Sequence, residues 1–157
     1  MTVITHTRRK SNLATMIDSA GGVSVGVALA QARANIEAMR ARALGVIELQ
    51  ISILEGAAAP TGPEDAPSQL ELAYRAATAL IDAAGPFELL DLCQAAAGLC
   101  DLIGATSPEE AFDWRIVTVH ARSLRLLQTL PPEAADERAR ILQSLAEMIE
   151  RKLAQVA

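Results

Sequence analysis

From Val25 onward, apolar or small residues recur in alternating steps of four and three: Val25, Leu29, Ala32, Ile36, Met39, Ala43 and Val46. The phase then slips by one residue, to Ile47, Ile51 and Leu54. Such spacing gathers these side chains on one face of a helix, whereas a strand would need strict alternation. The other faces carry Arg33, Glu37, Arg40, Arg42, Glu48 and Glu55, with Glu37 and Arg40 placed to pair. The pattern predicts one heptad-like helix over residues 23–56, roughly nine turns long. That length exceeds the usual globular helix, so the seam is expected to lie along its own bundle or to meet a partner, with a homodimer as the expected case.

Helix breakers punctuate the rest of the chain. Gly56 to Pro67 reads GAAAPTGPEDAP, and its prolines and glycines cannot continue a helix, which makes 57–67 a linker and the best domain boundary. Beyond it, Gly85-Pro86, Gly104 and Pro131-Pro132 cut residues 68–157 into four helical segments. Ser68 with Glu71 and Ser107 with Glu110 have capping-box spacing, and Pro108 suits a first helical turn. The segment to Ala84 has a polar stripe of Glu71, Arg75, Thr78 and Asp82. The next is apolar nearly all round, with a thin stripe at Glu88, Asp91, Gln94 and Asp101, so it is expected to be the most buried. The third segment is expected as a helix over Pro108–Thr129, and the last as one with an apolar line of Leu142, Leu145, Ile149, Leu153 and Val156.

Composition supports this all-α reading. The residues Ala, Val, Ile, Leu, Met, Phe, Trp, Tyr and Cys make up 51% of the chain, yet aromatics make up only 3%. The apolar content is therefore mostly small or aliphatic, and alanine combines the best helix propensity with close approach of helix axes. Short connections imply antiparallel neighbours. The expected architecture is an antiparallel four-helix bundle over 68–157, preceded by the long helix.

Charge and special residues restrict function. Arg8, Arg9 and Lys10 give the first ten residues +3, so within a net charge of −5 the rest of the chain carries −8. An acidic body does not suit a nucleic-acid footprint. Residues 1–22 are expected to be a flexible basic arm with a short helix at SNLATMID, and the Arg8–Arg9–Lys10 cluster is a candidate docking element for an acidic partner. No secretory pattern and no membrane span is visible, which points to a cytoplasmic protein. Cys93 and Cys100, seven apart, would stand about 10 Å apart on one helix, too far for a disulfide. They are expected to be buried, reduced thiols, and no metal site is expected.

The sharpest chemical candidate is His120, in VTVHARSLRLL. On a wheel of its helix, Arg115, Thr118, Arg122, Arg125 and Thr129 share a solvent sector. His120 falls opposite, beside Ile116, Leu124 and Leu127. Asp113 lies nearly in line but two turns away, so a hydrogen-bond partner for the imidazole is expected from another helix. Histidine phosphotransfer domains are four-helix bundles with an exposed histidine in an HxLKG-like run. Here the run is His120-Ala121-Arg122-Ser123-Leu124, without the lysine or the glycine. A structural histidine is the favoured reading, and phosphotransfer through His120 the alternative. No other catalytic constellation is legible: Gly21-Gly22 is a helix break, and Glu109, Glu110, Glu133, Asp136 and Glu137 sit in first helical turns, where the dipole favours them.

The stretch RRKSNLATMIDSAGGVSVGVALAQA, residues 8–32, resembles CheE-like small helical proteins of alphaproteobacterial chemotaxis clusters. The resemblance implies a setting in cytoplasmic chemotaxis signalling and carries no catalytic residue with it. The function expected is a non-enzymatic helical adaptor or regulator without cofactor, acting by protein contact through Leu29, Ile36, Met39 and the basic arm. A bundle that binds a small ligand beside its Ala-rich helix is a further alternative.

Overall fold

The computed structural model describes residues 22–57, 59–62, 64–106 and 111–156. Among them are six α-helices and no strand: α1 (Val25–Ala38), α2 (Arg40–Gly56), α3 (Ala66–Ala84), α4 (Leu90–Gly104), α5 (Arg115–Thr129) and α6 (Ala135–Val156). The protein is all-α. The chain falls into two compact units, residues 1–35 and 36–157.

The segment expected as one helix over 23–56 is two helices. The break is at Met39, whose N–H bonds the Ile36 carbonyl three residues back (2.9 Å), a tighter turn than the α-helical pattern. The unit boundary lies in α1, between Asn35 and Ile36, and not at the 57–67 segment expected as the domain boundary. The reason is the core of the second unit: Ile47, Ile51 and Leu54 of α2 are almost wholly buried in the same cluster as Ala77 and Leu80 of α3. Residues 57–67 therefore connect two elements of one core.

That core is built on alanine. α3 buries Ala73, Ala76, Ala77, Leu80 and Ala84, so α2 and α4 can both pack closely against it. α4 packs against α3, α5 and α6 and contributes Leu92, Ala95, Ala96, Leu99 and Leu102. α5 contributes Ile116, Val117, Ala121, Leu124 and Leu127, and α6 contributes Leu145. Each large aliphatic side chain so removed from water stabilises the fold by about 1.5–3 kcal/mol. α4 and α5 each bury six of fifteen residues, so α4, expected as the most buried, shares that place with α5.

Several helix boundaries differ from the spacing rules, each for a local reason. α3 starts at Ala66, and Ser68 lies in its first turn with its hydroxyl donating to the Asp65 carbonyl (2.8 Å). After Ala84 the chain makes a 3-10 turn, Gly85–Phe87, and Glu88 takes a left-handed φ of 57°, so α4 begins at Leu90 and not at Pro86. α5 begins at Arg115, later than Pro108, because the Asp113 carboxylate accepts the Arg115 backbone N–H (3.2 Å). Trp114 is also anchored, donating Nε1–H to the Ala57 carbonyl (3.3 Å). The Ser107–Glu110 capping box lies outside the described residues. At the other end of α5, Arg138 of α6 donates to the carbonyls of Leu127 (2.8 Å) and Leu130 (3.0 Å) and to Asp91 of α4 (2.6 Å). One guanidinium thus satisfies orphan carbonyls of a helix end and ties three helices together.

Candidate functional site

His120 is completely buried on α5, beside Ile116, Leu124 and Leu127 as the wheel requires. Its Nδ1 lies 2.9 Å from the carbonyl oxygen of Ile116. A carbonyl only accepts, so Nδ1 carries the proton and Nε2 is the bare nitrogen of a neutral imidazole. The partner is therefore on its own helix, one turn back, and not on another helix as expected. Nε2 is buried and has no hydrogen-bond partner. It points towards Gly98 of α4: a Cβ at Gly98 would stand 3.7 Å from it and would overlap Cδ1 of Ile149 on α6. Burial holds the imidazole below its ordinary value of 6.5, against a smaller opposing pull from the Ile116 carbonyl.

Of the arginines expected to face solvent opposite His120, Arg115 and Arg122 do so. Arg125 does not. It is turned onto α2, with Nη1 2.6 Å from Glu48 and Nη2 2.7 Å from Glu55, and with further bonds to Ser52 and Gln128. Its guanidinium holds both carboxylates below their usual range. Asp113, bonded by Arg115 (2.9 Å) and Lys152 (2.9 Å), is held far below it. These networks fasten α2 to α5 and α6 to the start of α5.

Cys93 and Cys100 are half-buried, not buried, because they flank the α4 face that meets α3. Cys100 Sγ lies 3.9 Å from the Thr78 hydroxyl, and Cys93 Sγ 4.0 Å from the Ile81 carbonyl. Burial raises both thiols, which opposes thiolate chemistry. Among the described residues no three His, Cys, Asp or Glu side chains converge as metal ligands.

The expected contact residues lie elsewhere. α1 has no buried residue, and Val25, Leu29, Ile36 and Met39 are each 43–68% exposed. Ile36 and Met39 are brought together with Ala43 and Val46 as one wall of an apolar groove of about 480 Å³. Ala83, Pro86 and Phe87 form the other wall, with Arg42 and Asp82 as its charged residues. Arg40 fixes the rim, its guanidinium 4.9 Å above the Phe87 ring and its Nε 2.7 Å from Glu37. Sequence reasoning missed the second wall, reading Gly85-Pro86 only as a helix break. The signal was Phe87, one of two phenylalanines in the chain, placed on the turn that break creates. A smaller cleft of about 250 Å³ lies between α5 and α6, lined by Val119, Ser123, Arg140, Ile141, Ser144 and Leu145. Arg8, Arg9 and Lys10 lie outside the described residues. No helix among those described is long and apolar enough to cross a membrane.

No known protein family, curated protein or solved structure matches the chain.

Proposed function

We propose that the chain is a non-enzymatic helical adaptor or regulator acting by protein contact. The observation that supports this best is the apolar surface of α1, which has no buried residue and leaves Val25, Val27, Leu29 and Ile36 each 43–68% exposed. Exposed apolar stripes of this kind mark contact sites in proteins that must stay in solution. The groove of Ile36, Met39 and Phe87 offers concavity for an aliphatic anchor. We further take α2 to α5, and not the expected α3 to α6, as the antiparallel four-helix bundle, a reading supported by the packing of α2 on α3, α3 on α4, α4 on α5 and α5 back on α2.

The setting we propose is bacterial chemotaxis in the cytoplasm, supported by the resemblance of residues 8–32 to CheE-like proteins. Arg8, Arg9 and Lys10 would add an electrostatic arm for an acidic partner. Phosphotransfer through His120 is disfavoured by the depth of its imidazole.

The test is affinity capture from the native cell with the full chain, with Met39→Glu, and with residues 1–22 removed. A captured protein is then purified and titrated against each. Loss of at least tenfold in affinity with Met39→Glu is the expected result. A full chain that captures and binds nothing would sink the adaptor reading.

A further inference from the structure

We infer that the groove of the second unit receives an amphipathic helix of another protein. That helix carries aliphatic residues at heptad spacing, acidic residues along one edge and basic residues along the other. This names the chemistry of the partner and rests on the protein-contact reading. The lining of the groove runs from Ile36 to Phe87, wholly within the second unit.

The groove arises from the phase slip in the sequence. α2 turns Ile47, Ile51 and Leu54 into the core. Met39, Ala43 and Val46 stand one residue out of phase with them, about 100° around the helix, and line the groove instead. Ala43 and Val46 are half-buried, and Met39 is 57% exposed. α2 therefore has two apolar faces, and the core covers one of them.

The spacing of the open face selects the occupant. Met39, Ala43 and Val46 are four and three residues apart, the step of one helix packed along another. Successive side chains on this wall are therefore about 5 Å apart along the axis. An extended strand presents a side chain to one face only every ~6.6 Å, and falls out of register with the wall. Ala43 on this wall and Ala83 on the other are small, so a helix can approach closely and seat an aliphatic side chain between Met39 and Phe87.

The charges select its edges. Arg42 stands on the α2 wall and Asp82 on the α3 wall, both exposed. Among the described residues neither is in an ion pair, whereas the neighbouring Arg40 is held by Glu37 and by the Phe87 ring. A helix with its acidic edge towards α2 and its basic edge towards α3 pairs with both. Turning that helix end for end, with its apolar stripe kept on the groove, exchanges the edges and sets like charge against like. The two walls therefore admit one direction of the helix, which apolar contact alone would leave open.

Fluorescence anisotropy of the full chain with three synthetic peptides of about 18 residues, long enough to hold a helix, tests this. All carry leucine at heptad spacing. One has glutamate along one edge and lysine along the other, one has glutamate along both, and one has lysine along both. The mixed helix should bind at least about threefold tighter than either of the others. Met39→Glu should weaken it at least tenfold at unchanged helical circular dichroism. Arg42→Glu combined with Asp82→Lys should keep the affinity and reverse the helix. A photoactivatable group at the peptide N-terminus should then label the Met39 end of the groove in one chain and the Val46 end in the other. No binding, equal binding of all three, or binding indifferent to Met39→Glu overturns the inference. Two-chain mass in sedimentation that Met39→Glu abolishes also overturns it, and assigns the groove to a second copy. Met39-dependent binding of dodecanoate without binding of any peptide overturns it in favour of a small amphiphile. A captured native partner whose binding ignores Met39, Arg42 and Asp82 ends the inference and leaves the adaptor reading standing. Binding of the mixed helix by a chain that captures nothing from the cell supports the inference and sinks the adaptor reading.

Discussion

The imidazole of His120 donates from Nδ1 to the carbonyl oxygen of Ile116, one turn earlier on α5, and this bond leaves Nε2 bare against Gly98. Protonating Nε2 would bury a charge with nothing to receive it. The folded-state value therefore lies below the 6.5 of an unperturbed histidine, with burial as the main cause. That direction fixes the sign of the pH dependence. The contribution to stability is fully present above pH 6.5, the unfolded value, and is lost as pH falls towards the folded one. The slope there approaches about 1.4 kcal/mol per pH unit. Glu48, Glu55 and Asp113 are also lowered, but the stability they contribute is lost only as pH falls through their unfolded values of 4.5 and 3.8 towards the folded ones, so the window from about pH 6.5 to 5 belongs mainly to His120. Urea unfolding at pH 7.5, 6.0 and 5.0 should show declining stability for the wild type. His120→Leu should be nearly flat over the same window, and a parallel decline in both proteins would contradict this account.

The same depth decides the phosphotransfer question. A phosphoryl group of about two negative charges on Nε2 would be stranded in the core beside Gly98, at a cost of several kcal/mol. Incubation with a phosphorylated cognate response regulator should leave no acid-labile label on the chain. Label on the wild type that is absent from His120→Gln would require the bundle to open around the ring, and would restore the phosphotransfer reading.

How much of this was legible from the residues differs from place to place. The apolar periods on α3, α4 and α5 translate directly into buried faces, because a helix in a core must turn its aliphatic side inward. His120 was placed on the buried side by the same wheel. Its partner was not found, because the wheel carries side-chain directions and omits backbone carbonyls such as that of Ile116. Arg125 shows a related limit. It belongs to a polar sector, yet Glu48 and Glu55 of α2 lie over that sector, and the packing of α2 on α5 is not readable from either helix alone. The groove needed Phe87 on a turn whose shape depends on the left-handed Glu88, and no periodicity encodes that.

The division between α1 and α2 is testable by paired truncations. Ile51 is completely buried in the core of the second unit, whereas Leu29 of α1 is 54% exposed. Ile51→Ala should lower unfolding stability by about 2–5 kcal/mol. Leu29→Ala, which also raises helix propensity slightly, should change it by less than about 0.5 kcal/mol when measured on the dilute chain. Equal losses would place α1 within the cooperative core.

Gly98 offers the last test, because three helices meet at it. It is buried on α4, faces Nε2 of His120 on α5 and is covered by Ile149 of α6. Alanine is the better helix former by about 1 kcal/mol, so on propensity alone Gly98→Ala would stabilise α4. The added Cβ would overlap Cδ1 of Ile149, closer than real Cβ contacts come. Ile149 is only half-buried, so its terminal methyl has some freedom to turn away. The displacement still pushes α6 from α4, and overpacking of this kind costs about 1–3 kcal/mol. The clash should outweigh the propensity gain, leaving Gly98→Ala less stable by about 0.5–2 kcal/mol in urea unfolding. Ile149→Val in the same chain removes the offending Cδ1 and should recover most of that loss. A Gly98→Ala chain more stable than wild type would mean that α6 sits farther from α4 than the Ile149 contact places it.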